Sequence, residues 1–121
     1  MQAALQLLRL QPRRGLIVWI TEMGETAYRP ETVDAAAELS RRHLVVLLLL
    51  RHPEMSALAE TLPGSVSEMF AVTAAREVVE RGASQVARLR TAGVLVLETT
   101  PAAVKAAALN EYLAVKARGL L

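Results

Sequence analysis

Three short stretches of this chain are apolar almost throughout rather than alternating: Leu16–Thr21, Leu44–Leu50 and Val94–Glu98. A strand with one face in water alternates, whereas a strand covered by helices on both faces need not. The pattern therefore predicts three parallel β-strands, with "LVVLLLL" (Leu44–Leu50) the most deeply covered. Helical periods fill the spaces between them. Residues 2–10 carry Ala3, Leu7 and Leu10 on one stripe that stops at Pro12. Pro30 sits where a first helical turn begins, and Val33, Ala36, Ala37 and Ser40 follow at helical spacing until the basic end "SRRH".

After the second strand, "RHPEMSALAETLPG" predicts a short helix closed by Pro63 and Gly64. Ser65 and Glu68 have capping-box spacing and open a long helix to about Thr91, through Met69, Phe70, Val72, Val79, Val86 and Leu89. Gly82 weakens its middle, and Gly93 ends it. Thr100 and Pro101 read as the cap and first residue of a closing helix that terminates at Gly119. A βαβαβ series with right-handed crossovers gives three strands side by side in chain order, with their C-terminal ends on one rim. The fold class expected is thus α/β, a Rossmann-like parallel sheet with flanking helices. The rim is where open α/β sheets bind ligands.

Composition narrows the reading. At 121 residues the chain suits one domain. Apolar residues make up 53% and aromatic residues only 3%, so the core must be Val, Leu, Ala and Ile, which fits helices on a parallel sheet. The net charge of +2 arises from nearly balanced acids and bases, with no basic run longer than Arg13-Arg14 and Arg41-Arg42. That is a poor footprint for nucleic acid. The absence of cysteine excludes disulfides, zinc-thiolate sites and thiol nucleophiles. The longest apolar run is about a third of a membrane span, and the N-terminus lacks the order of a secretion signal. The expectation is a cytoplasmic protein with no membrane partner.

The rim gathers the candidate chemistry. Thr21, Glu22 and Glu25 follow the first strand, Arg51 and His52 the second, and Glu98, Thr99 and Thr100 the third. Adjacent strands lie about 4.8 Å apart, so Glu22 and Arg51 are expected within pairing reach. Glu22 with Thr21 offers part of a Mg²⁺ site; the commonplace reading is that Glu22 and Glu98 are strand-end carboxylates neutralised by Arg51. His52 has Glu54 nearby in sequence as an orienting partner. His43, opening the second strand, reads as a helix-dipole or capping partner. "TEMGE" lacks the Lys and stacked amides of a phosphate loop, and Ser65 and Ser67 show no nucleophile-elbow spacing. No enzymatic activity is expected.

The segments "PRRGLIVWITEM", "LSRRHLVVLLLLRHPE", "TAGVLVLETTP" and "LNEYLAVKARGLL" resemble the C-terminal half of a bacterial von Willebrand factor A-like (vWA-like) family. Its members are typically encoded beside MoxR-type AAA+ ATPases. The resemblance covers essentially all 121 residues, with "YLAVKARGLL" its most distinctive piece. It implies a Rossmann-like sheet whose complete form carries a divalent-cation site built from a "DxSxS" loop, a distant Thr and an Asp after a strand. The last position maps onto Glu22, where this chain has "TE" for the family's "TD". No "DxSxS" is present, so Glu22 and Thr21 are carried over only as a vestigial site, with no cofactor expected and Mg²⁺ as the alternative.

The resemblance also implies that residues 1–121 form a single partial domain, lacking the strands that would flank "GLIVWI". Its outer edge, marked by Leu16, Val18 and Ile20, would then be an adhesive surface. A homodimer, helix exchange or a separate chain supplying the missing half would cover it; residues 2–10 folding over it is the intramolecular alternative. The expected function is a non-catalytic interaction module. It would work with a MoxR-type ATPase in assembly or maturation of other proteins, through this edge and a rim of Glu22, Arg51, His52 and Glu98. The alternative is a Mg²⁺-binding protein whose rim site is completed by a partner chain.

Overall fold

The computed structural model describes residues 6 and 14–119, and of residues 25, 27 and 28 the backbone only. Strands β1 (Leu16–Glu22), β2 (Leu44–Leu50) and β3 (Leu95–Thr99) form one parallel sheet in the order β1-β2-β3. Helices α1 (Met23–Tyr28), α2 (Pro30–Ser40), α3 (Pro53–Ala59), α4 (Val66–Thr91) and α5 (Val104–Ala117) complete the described architecture. The α/β class and the chain-order sheet are as the hydrophobic pattern predicts. The expected helix over residues 2–10 lies outside the described residues except Gln6, which is helical.

β2 explains why the core forms. Val45, Leu47 and Leu49 point to one face, where Val33, Ala35, Ala36 and Leu39 of α2, Val86 and Leu89 of α4, and Val96 of β3 enclose them. Val46 and Leu48 point the other way, toward α5, which contacts β2 and buries its own Val115. All five residues from Val45 to Leu49 are fully buried, each contributing ~1.5–3 kcal/mol relative to exposure. The two faces are unequally covered. Ile17 and Trp19 of β1 pack against the α2–α4 layer, while Val18 and Ile20, which share the other face with Val46 and Leu48, are 37% and 50% exposed. Leu95 and Leu97 of β3, on that same face, are also exposed.

Several boundaries differ from the sequence reading, each for a local reason. β1 runs on through Glu22, one residue beyond the predicted strand, and passes directly into α1, a helix the pattern does not mark. Met23 drives this: its side chain is buried in the core against α4, and Gly82 provides the room. A methyl group at residue 82 would overlap Met23 Sδ, so the glycine that costs α4 helix propensity lets α1 dock on it. α5 starts at Val104 rather than Pro101, because residues 101–103 form a turn closed by the Ala103 N–H donating to Thr100 O (3.0 Å). β3 begins one residue late, since the Val94 N–H is taken by Leu89 O (3.0 Å) and the Gly93 N–H by Arg90 O (3.1 Å). With Gly93 at φ +93° this is a Schellman ending.

The α4 cap departs slightly from the expected box. Ser65 Oγ accepts from the Glu68 N–H (3.1 Å), but Glu68 Oε2 reaches back to the Gly64 N–H (2.7 Å), one residue before the cap. His43 is neither a dipole nor a capping group. It is buried at the start of β2, and its Nδ1 accepts the Gly15 N–H (3.1 Å), tying the entrance of β1 to that of β2. An accepting Nδ1 places the ring proton on Nε2.

Candidate interaction site at the strand rim

At the C-terminal ends of the strands lies an open cleft of about 420 Å³. Glu22, Arg51, His52 and Glu98 all line it, as the topology predicts. Thr21 does not: it is 6% exposed and stays outside the lining. Of the expected pairing of Arg51 with both Glu22 and Glu98, only the contact with Glu98 forms, and Glu22 meets His52 instead. Arg51 Nη1 lies 3.8 Å from Glu98 Oε2, and His52 Nε2 lies 3.8 Å from Glu22 Oε1. The cause is backbone geometry. In the ladder Glu98 stands beside Leu49 and Glu22 beside Leu50, and successive side chains alternate between faces, so Arg51 continues the face of Leu49 and Glu98 while His52 continues that of Leu50 and Glu22.

These contacts are long, and their four side chains are 38–62% exposed. Pairs of this kind contribute ~0–1 kcal/mol, and the second is an ion pair only when the imidazole is protonated. The carboxylates and the guanidinium can therefore exchange their mutual contacts for those of an arriving partner at little cost. Among the described residues no three His, Asp or Glu side chains are grouped to share a metal ion. His52 faces Glu22 rather than Glu54, and it stands at the N-terminus of α3, where Pro53 begins the helix. The side chain of Glu25 is outside the described residues.

The sequence reading missed the apolar wall of the cleft. Met23 from α1, Met55 from α3 and Val79 from α4 supply it, opposite the charged lip. Met55 sits in the helical stretch "PEMSALA", which gives no sign of which neighbour its exposed side faces. α1 itself was hidden because six residues containing Gly24 and Thr26 carry no helical period.

Comparison of the chain with protein-family models, with curated proteins and with solved structures gives no match. The sheet and its rim thus define an all-parallel α/β protein compatible with a Rossmann-like fold. Among the described residues no helix is long and apolar enough to cross a membrane.

Proposed function

We propose that this chain is a non-catalytic protein–protein interaction module of the vWA-like kind, acting with a MoxR-type AAA+ ATPase in the assembly or maturation of other proteins. The observation that supports it is the uncovered side of the sheet. Among the described residues β1 has a neighbour on one side only, and Val18 and Ile20 stand exposed beside it. Exposed β-branched residues on an open strand edge are an attachment surface. The rim adds charge: Glu22, Arg51, His52 and Glu98 lie at the ends of the same strands and are held only by long contacts. Apolar edge and charged lip together resemble the core and rim of a protein interface.

Surface plasmon resonance over an immobilised MoxR-type ATPase from the same genome tests this. Wild type should bind, and Arg51→Glu should bind at least about tenfold more weakly, the loss of a rim contact together with like-charge repulsion. Binding indifferent to Arg51→Glu, or no binding, would contradict the reading.

The rival reading is a Mg²⁺ site on Glu22 and Glu98, which share the cleft with Glu60. It predicts saturable heat on titration with Mg²⁺ or Mn²⁺ that disappears in Glu22→Ala. The interaction reading predicts no such heat in either protein.

A further inference from the structure

The backbone of β1 shows which groups its outer edge, unpaired among the described residues, presents. The Gly15 carbonyl accepts the Leu44 N–H (2.9 Å) and the Gly15 N–H donates to His43, so residue 15 directs both backbone groups toward β2. Along a parallel ladder this orientation repeats at every second residue. Ile17, Trp19 and Thr21 therefore bond inward, and Leu16, Val18, Ile20 and Glu22 direct N–H and C=O outward. The opposite edge of the sheet is managed differently. The Arg51 N–H bond to Thr99 O turns Leu95, Leu97 and Thr99 inward, leaving the Val96 carbonyl outward, and Arg90 Nη2 donates to it (3.2 Å). The five-residue β3 is short and one outward carbonyl of its edge is taken by a guanidinium; the seven-residue β1 is longer.

From this edge we infer that the partner of β1 is a second copy of the chain, paired antiparallel about a two-fold axis through Val18. The outward residues of β1 are Leu16, Val18, Ile20 and Glu22, and with exposed Arg14 two residues ahead of the strand continuing the alternation the series is its own complement when reversed. With Val18 on the axis, Leu16 faces the partner's Ile20, and exposed Arg14 faces the partner's Glu22, whose side chain is 62% exposed. Each outward backbone group meets an outward group, giving about six inter-chain hydrogen bonds over residues 16–20. Moving the axis to Trp19 also matches outward groups, but it sets Leu16 against the partner's Glu22 and leaves Arg14 beyond the strand. The result is a continuous six-stranded sheet with apolar pairs at its centre and opposite charges at both ends. This rests on the reading of the chain as an interaction module and names one of its partners.

The absence of cysteine provides the test. Residues facing each other in a hydrogen-bonded antiparallel pair have Cα atoms about 5.5 Å apart, within disulfide range. Val18→Cys should thus oxidise to a covalent dimer, while Leu16→Cys, whose copies would lie about 14 Å apart, should not. Mixed with Ile20→Cys, Leu16→Cys should cross-link. In sedimentation equilibrium on the uncross-linked chain, R14E and E22R should each raise the dimer dissociation constant about tenfold, and an equimolar mixture of the two should form mixed dimers. Should Val18→Cys not fold, the charge variants alone carry the test. A wild-type chain that stays monomeric at several hundred micromolar overturns the inference, as does a dimer in which Leu16→Cys cross-links as readily as Val18→Cys or neither charge variant weakens association. Arg51-dependent binding to the ATPase would survive either failure.

Discussion

His43 and Gly82 each join two elements at a single point. His43 Nδ1 receives the Gly15 N–H, and truncating the ring leaves that half-buried donor without its partner. His43→Ala should cost about 1–3 kcal/mol of unfolding free energy, read from urea denaturation. Gly82 acts through Met23. In an isolated helix Gly→Ala gains about 1 kcal/mol, but here the new methyl must displace Met23 from its slot. Gly82→Ala should therefore be neutral or destabilising in wild type and stabilising in the Met23→Ala background. The same sign in both backgrounds would show that the two residues are uncoupled.

Among the elements, β1 is the one whose two edges differ most. Proline at an inward residue removes a hydrogen bond to β2, whereas at an outward residue it removes only a donor that faces away from the sheet. Ile17→Pro should cost about 3 kcal/mol or more, and Val18→Pro distinctly less, measured by thermal or chemical unfolding at a concentration where the chain is monomeric. Equal costs would refute the assigned backbone orientation. The strands were legible in the sequence because "LVVLLLL" is buried on both faces, and burial of that kind writes itself as an unbroken apolar run. The rim residues followed from topology, since parallel strands deliver their C-terminal ends together. What the sequence could not show was contact between distant segments: Met23 entering the space beside Gly82, Met55 walling the cleft, or His52 rather than Arg51 meeting Glu22. The turn over residues 101–103 was hidden for a different reason, because Thr-Pro is equally a good helix start and a good turn.

For the whole molecule the decisive feature is asymmetry of cover. One face of the sheet is closed by α2 and α4; the other carries α5 over β2 and leaves Val18, Ile20, Leu95 and Leu97 partly in water, with Leu109, Tyr112 and Leu113 of α5 exposed above. A surface of this kind favours association, and the outward backbone groups of β1 give that association a direction and a register. Amide hydrogen exchange of Leu16–Glu22, followed by NMR as a function of protein concentration, tests this most directly. The Ile17, Trp19 and Thr21 amides should exchange slowly at every concentration, and those of Val18 and Ile20 should pass from fast to slow as dimers form. Val18 and Ile20 amides that exchange fast throughout, or that are already protected in the dilute monomer, would contradict the account.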